Sequence, residues 1–302
     1  MTNSNSDCHA AKIAFPRVAI VGLGLLGGSL ALALRRRGAA RQVLAFARRQ
    51  ASIDQALALG AIDQGSTRVD QVLPAADLTV VCLPVKATID FCLNNAGLWR
   101  AGSTVTDVGS TKNGVVAAVS PSLSRRGVRF VGGHPMAGSE KSGLNAATAE
   151  LYRQATVFLT PDQETDDGAV RLLAEFWRQV GARPQIIDPR LHDALVARTS
   201  HLPHLLASAL AMTALKSEQN YPATGGGLRD MTRIAAGSPE MWLDIFEHNQ
   251  REVLAAAREF QTELAKFVEA LQDDQWQDLG ELMRQARRLR LNWENFSKHR
   301  SV

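Results

Sequence analysis

Between Arg17 and about Ile187, short apolar runs alternate with stretches of helical periodicity. The runs are Val18–Val21, Val43–Phe46, Leu78–Leu83, Thr104–Val108, Val128–Val131, Val157–Leu159 and Gln185–Ile187. Helix-like stretches such as Leu25–Arg37 and Ile53–Leu59 lie between the early ones. Unbroken β-branched runs mean strands covered on both faces, and alternation with helices means parallel pairing. An α/β doubly wound sheet is predicted for residues 16–188. Beyond Asp188 strand-like runs vanish and Ala, Leu, Glu, Gln and Arg dominate, which predicts an all-α domain over 189–302. Ser238-Pro239-Glu240 reads as a helix start: an N-cap, a proline at the first position and an acid in the first turn. Apolar residues then recur from Trp242 through Ile245, Val253, Phe260 and Leu264 to Leu271. That period predicts one helix over 240–271, about 48 Å long. One small domain does not cover such a rod, so the stripe predicts a homodimer. Residues 1–15 are polar and patternless, the pattern of a disordered tail.

Composition narrows the class. Hydrophobic residues are 45% and charged residues 21% of 302, the balance of an ordinary globular chain. A net charge of +4 is too small over this length to imply nucleic acid, and anionic small molecules account for it as well. Residues 18–34 are uncharged, but glycines interrupt them, and they fall short of the roughly 20 residues that span a bilayer. No membrane partner is expected. Cys8, Cys82 and Cys92 have no metal-ligand spacing, which points to free thiols in a reducing cytoplasm.

Gly22-Leu23-Gly24-Leu25-Leu26-Gly27 matches G-x-G-x-x-G, directly after the first strand and opening the first helix. Its glycines suit a tight turn, a close pyrophosphate and close strand–helix packing, and the helix N-terminus offers free N–H groups. The sheet is therefore of Rossmann type. NAD sites end the second strand with an acid, about twenty residues past the first glycine. Here Ala47-Arg48-Arg49 stands there, and the only acid between Gly22 and Ile62 is Asp54, inside the next helix. Arg48 and Arg49 suit a 2′-phosphate, so NADP is expected ahead of NAD.

Polar groups mark three further strand ends: Leu83-Pro84, then Asp107-Val108-Gly109-Ser110-Thr111-Lys112, then Gly132-Gly133-His134-Pro135. Ligands of a doubly wound sheet bind at such ends. A histidine beside a nucleotide fold, flanked by glycines that bring backbone close, is a candidate base. Arg229 and Arg233 lie four apart, on one face if Leu228–Ala235 is helical. His201 and His204 flank a helix-bending Pro203 and have no third ligand in register, so no metal site is expected.

The stretches VGLGLLGGSLALAL, TDVGSTK, FVGGHPMAGSEKSG, LHDALVARTSHLPHLLASAL and GGGLRDMTRIAAGSPEMW resemble the prephenate/arogenate (cyclohexadienyl) dehydrogenase family. The resemblance implies NAD(P)-dependent oxidative decarboxylation of a cyclohexadienol in tyrosine biosynthesis, by a Rossmann domain and a helical dimerisation domain. It makes His134 the base and Ser110 the serine that bonds the ring hydroxyl and orients the histidine. It makes Arg233 the substrate-carboxylate arginine, Asp230 its neighbour's orienter, Trp242 a pocket wall and His204 a substrate-side donor, leaving His201 structural. Glu140 and Lys141 match family positions that close the pocket. Gly22 to Gly27, Arg48, Arg49, Leu83, Pro84 and Asp107 make up the expected cofactor site. The choice between prephenate and arogenate, which differ in one keto or amino group, stays open.

Two other classes fit less well. A non-catalytic NADP(H) sensor would need neither His134 with Ser110 nor the carboxylate-binding arginine. An imine or β-hydroxyacid reductase centres on a lysine of the helical domain, and no lysine lies between Lys141 and Lys216.

Overall fold

The computed structural model describes residues 13–138, 141 and 143–299. Strand and helix alternate as β1 (Arg17–Val21), α1 (Leu25–Arg37), β2 (Gln42–Phe46), α2 (Gln50–Ala58), β3 (Gln64–Ser66) and β4 (Leu78–Val81). The series continues with α3 (Val85–Asn94), β5 (Thr104–Asp107), α4 (Asn113–Ser124), β6 (Arg129–Pro135), β7 (Thr156–Thr160), α5 (Asp167–Gln179) and β8 (Arg183–Ile186). They form one eight-stranded sheet in the order β3-β2-β1-β4-β5-β6-β7-β8. Strand order reverses at β1, which pairs in parallel with both β2 and β4. The crevice beyond the carboxyl ends of those strands is the ligand position of doubly wound sheets. Alternate residues of β1 enter different core clusters, Val18 and Ile20 with α1 and α5, Val21 with α3 and α4. Both faces are therefore covered.

Four details differ from the pattern reading. β3 is a three-residue polar edge strand, and an edge strand needs no apolar run to pair with β2. β7 runs antiparallel to β6, and β8 parallel to β7, so the last two strands are reversed and the sheet is mixed. β6 runs on to Pro135, placing His134 within the strand, opposite Phe158, rather than after it. Phe15, assigned to the tail, is buried edge-on against Phe176; residues 1–12 of that tail, with Cys8, lie outside the described residues. The apolar segment 18–34 is divided between β1, the glycine turn and α1. Among the described residues no helix is long and apolar enough to cross a membrane.

From Asp188, which caps the next helix by accepting from the Arg190 and Leu191 amides, the chain is helical. It runs through α6 (Pro189–Val196), a π-helical turn at Ala197–His201, α7 (Leu202–Ala214), α8 (Gly226–Thr232) and a 3-10 turn at Arg233–Ala236. α9 (Pro239–His248) follows. The π turn ends two residues before Pro203, which has no N–H to continue a regular ladder. Ser238 caps α9 as its sequence predicts, its hydroxyl accepting from the Met241 amide. The single rod expected over 240–271 is broken at Asn249 (φ −131°, ψ 25°). Its buried side-chain amide donates to the Asp193 carbonyl at 2.9 Å instead of facing solvent along a helix.

Compactness divides the chain after Gln250, whereas the change of sequence character falls at 188. The unit from Arg251 consists of the rest of α10 (Gln250–Gln272) and α11 (Trp276–His299), joined through Asp274 in the left-handed region (φ 55°).

Candidate active site

Four helices of the sheet start beside its carboxyl edge, and what caps them decides where an anion fits. α3 has no side-chain cap of its own; the Asp244 carboxylate of α9 accepts from the Lys86 amide at 3.2 Å. α4 also lacks one, and the Asp193 carboxylate of α6 accepts from the Lys112 and Asn113 amides at 2.7 and 2.9 Å. The helical segment thus supplies the anions for these two N-termini. α1 and α2 keep theirs open, with Gly24 and Arg49 at the N-cap, no side-chain cap and no acid in the first turn. Free amides and a positive dipole end remain there for phosphates.

The glycine loop has the shape this requires. Gly22 sits at φ +95°, and a Cβ there would lie 2.6 Å from the Cys82 carbonyl. One on Gly27 would lie 2.0 Å from the Gly22 carbonyl, so α1 and the turn after β1 touch through glycine alone. Gly24 is exposed and has nothing within 4 Å of a Cβ position, which leaves room for a pyrophosphate. Leu23 is buried, and the Leu26 carbonyl accepts from the Tyr152 hydroxyl at 2.7 Å, fixing the first turn. Leu25 is half-buried and Pro84 exposed at the N-cap of α3, after a half-buried Leu83. Arg48 and Arg49 are exposed at the end of β2, and Asp54, accepting from Gln50, is inside α2. The residues present fit a nicotinamide dinucleotide.

Asp107, expected in the cofactor site, has its carboxylate turned into the protein. It is fully buried, ion-paired with an equally buried Lys112, and accepts from the Gly109 and Gly133 amides at 2.8 and 3.0 Å. Lys112 also donates to the Gly133 carbonyl at 2.8 Å. The pair therefore holds both sides of the residue before His134, and removing one partner would strand a buried charge at a cost of about 3–5 kcal/mol.

His134 is 8% exposed. Its Nδ1 is 2.9 Å from His192 Nε2, and His192 Nδ1 is 2.8 Å from Asp193 Oδ1. A carboxylate only accepts, so His192 donates from Nδ1 and its Nε2 is bare. His134 must then donate from Nδ1, which leaves its own Nε2 as a lone pair. Burial first, then His192, Lys112 and His201, hold His134 well below the ordinary histidine range. Burial also lowers His192, opposed by its bond to Asp193. Both rings are neutral at neutral pH, and His134 presents a base.

Ser110 is half-buried in the turn after β5, on the strand beside β6, and it does not cap α4, whose N-cap is Lys112. His204 is buried and lies flat on Trp242, with an unpartnered buried Nδ1. His201, read as structural, accepts at Nδ1 from Asn249 (3.1 Å), which leaves a buried Nε2–H without a partner. Arg229, Asp230 and Arg233 are exposed; α8 carries the first two and Arg233 opens the 3-10 turn, so the two arginines are not on one regular helix. Lys141 is exposed, and Glu140 lies outside the described residues. No group of three or more His, Cys, Asp or Glu converges as a metal site among the described residues.

The sequence reading missed His192 and Asp193. They sit in LHDALVARTSHLPH, a stretch already singled out, and a histidine followed by an acid just after the Asp188-Pro189 helix start was the available signal.

A glycine loop beneath an uncapped helix and a neutral, oriented imidazole across the same sheet edge define a dinucleotide-dependent dehydrogenase. The model of the prephenate dehydrogenase nucleotide-binding domain matches residues 30–186, and that of the prephenate dehydrogenase dimerization domain matches 188–285. The chain belongs to the prephenate dehydrogenase family. It is 36% identical over 256 residues to the prephenate dehydrogenase of Bacillus subtilis, covering 83% of this chain and 68% of that one. It is 30% identical over 282 residues to the cyclohexadienyl dehydrogenase of Zymomonas mobilis, covering 92% and 96%. The crystal structure of Aquifex aeolicus prephenate dehydrogenase with hydroxyphenyl propionate and NAD+ superposes with a TM-score of 0.85 at 34% identity, over 91% of this chain and 97% of that one.

Proposed function

We propose that the chain oxidatively decarboxylates prephenate to 4-hydroxyphenylpyruvate, with NADP preferred over NAD. The observation that carries this is the His134 tautomer: its neighbours force a lone pair onto Nε2, the nitrogen left to accept the ring hydroxyl proton. A bound nicotinamide supplies the two-electron acceptor. Ser110 bonds the same hydroxyl and orients His134. Arg233 pairs with a substrate carboxylate, with Arg229, Asp230 and Lys141 as further substrate-binding residues. His204 and Trp242 form a wall, the histidine donating to the substrate. Loss of CO2 then makes the ring aromatic.

The preference for NADP is supported by Arg48 and Arg49 beside the uncapped start of α2, and by the lack of an acid at the end of β2. A homodimer is supported by exposed apolar residues of α10 and α11, among them Leu264, Val268, Leu271, Trp276, Leu289 and Trp293. Cys82 and Cys92 are free thiols, in keeping with the cytoplasm. The deciding assay follows reduced cofactor and 4-hydroxyphenylpyruvate with prephenate and, separately, with arogenate. Turnover of arogenate alone reassigns the substrate, and turnover of neither overturns the reading. Sedimentation of a stable monomer at micromolar protein would remove the dimer.

A further inference from the structure

The His192–Asp193 pair lies outside the roles given to the dehydrogenase site so far, and three features make it more than a brace. His134, His192 and Asp193 form an unbranched chain of 2.9 and 2.8 Å contacts, every member nine-tenths buried. Asp193 is fixed by two backbone amides at the start of α4, 2.7 and 2.9 Å away, so its carboxylate keeps its place whatever the histidines do. Lys112, a buried cation nearby, is committed to Asp107 and the Gly133 carbonyl, so the chain has no branch there.

The reaction sets a requirement on that chain. Oxidising the ring carbon removes a hydride and, with it, the hydroxyl proton, giving a carbonyl. Decarboxylation then sends the C–C bond pair into the ring and leaves the oxygen as phenolate, which needs a proton back. The hydroxyl proton is thus lent and returned, with none consumed overall. An imidazolium on His134 would hold it where the buried Lys112 charge opposes it.

We propose that His192, seated on Asp193, is the reversible store for the substrate's hydroxyl proton. As His134 Nε2 takes that proton, the His134 Nδ1 proton passes to His192 Nε2, and the positive charge comes to rest on His192 against a carboxylate that stays ionised. Both transfers reverse when the phenolate forms. His192 is a positioning and proton-storing residue acting through His134, and the assignment rests on the dehydrogenase reading above.

His192→Gln separates the two duties, because its amide oxygen can still accept from His134 Nδ1 but takes no proton. The expected result is a kcat lowered at least about tenfold with KM for substrate and dinucleotide within about twofold. In mixed H2O and D2O the dependence of kcat on deuterium fraction should be bowed in the wild type, two protons moving, and linear in the variant. A kcat within about threefold of wild type, or a lowered kcat with an unchanged deuterium dependence, overturns the proposal. ¹⁵N-histidine NMR of the wild-type protein reads the chain whether or not the variant folds or any substrate turns over. Both His134 and His192 should carry the proton on Nδ1, and an Nε2–H form of either ring overturns it. A wild type silent with prephenate and arogenate but showing these tautomers would mean that the substrate reading, not the chain, has failed.

Discussion

His204 lies flat against Trp242, with ring centroids 3.6 Å apart and planes 11° from parallel. The contact joins α7 to α9 and leaves His204 Nδ1 buried without a partner, an arrangement that suits a wall completed by a ligand. Stacked pairs contribute about 0.5–1.5 kcal/mol beyond burial. Trp242→Leu should therefore raise the KM for prephenate by up to about tenfold, with kcat within about threefold. A lowered melting temperature with unchanged KM would make the stack packing alone.

His134→Asn removes the proposed base but keeps a polar group within the strand. Loss of a general base costs about 10²–10⁴-fold in turnover, so kcat should fall by that much while dinucleotide binding is retained. Fluorescence titration with reduced cofactor checks binding, and steady-state assay checks kcat. Near-normal turnover would remove His134 as the base.

Arg233→Ala should act mainly on KM, by about ten- to a hundredfold, since a charge-assisted contact to a carboxylate contributes about 1.5–3 kcal/mol. Asp107→Asn provides the contrast. It leaves the Lys112 charge buried without its partner, so it should lower thermal stability as well as kcat, whereas Arg233→Ala should show first in KM.

Four buried histidines make stability depend on pH. His134, His192, His201 and His204 are all held below the ordinary histidine range, first by burial, with His201 brought down to about 4. The unfolded chain binds these protons from about pH 6.5 downwards, and the folded chain refuses them. The stabilisation is therefore full above about 6.5 and is lost as pH falls towards the folded values. For His201 alone, at 1.36 kcal/mol per pH unit, the loss by pH 4 is about 3 kcal/mol. The urea midpoint should drop steeply between about pH 6.5 and 4.5, before ordinary carboxylates protonate. A flat midpoint over that window would mean these rings protonate within the folded protein.

The doubly wound sheet was legible because its central strands are buried on both faces and so read as apolar runs. The three polar residues of β3 lack that signal, and Gly132 and Gly133 hid the last turns of β6. There glycine is required by crowding: a Cβ on Gly133 would lie 2.6 Å from the Asp107 carbonyl. Strand direction at β7 and the break at Asn249 are set by tertiary contacts that no local period records. At the site, the glycine loop and His134 stood out as motifs. His192 and Asp193 did not, because a histidine beside an acid on a helix has no meaning until β6 is packed against it. Asp107 was placed at the correct strand end, but only burial reveals that its carboxylate faces Lys112.

The proposed cofactor preference rests on what surrounds the end of β2. Arg48 and Arg49 are exposed there, α2 opens beside them without a capping side chain or an acid, and Asp54 is held by Gln50 further along the helix. A 2′-phosphate at this point would gain one or two charge-assisted bonds of about 1.5–3 kcal/mol each. NAD forgoes them but meets no repelling carboxylate, so it should be used more weakly rather than refused. The expected wild-type preference for NADP is at least about tenfold in kcat/KM, since 1.4 kcal/mol is a factor of ten. Ala47 is buried, so a ribose-binding carboxylate belongs at the exposed neighbour. Arg48→Asp combined with Arg49→Gln should lower kcat/KM for NADP by at least about tenfold and bring NAD level with it or ahead. The measurement is kcat/KM for both dinucleotides at saturating prephenate, repeated at high salt, which should weaken the NADP advantage of exposed arginines. A wild-type enzyme that prefers NAD would mean that both guanidinium groups are turned to solvent and that the ribose is read elsewhere in the loop.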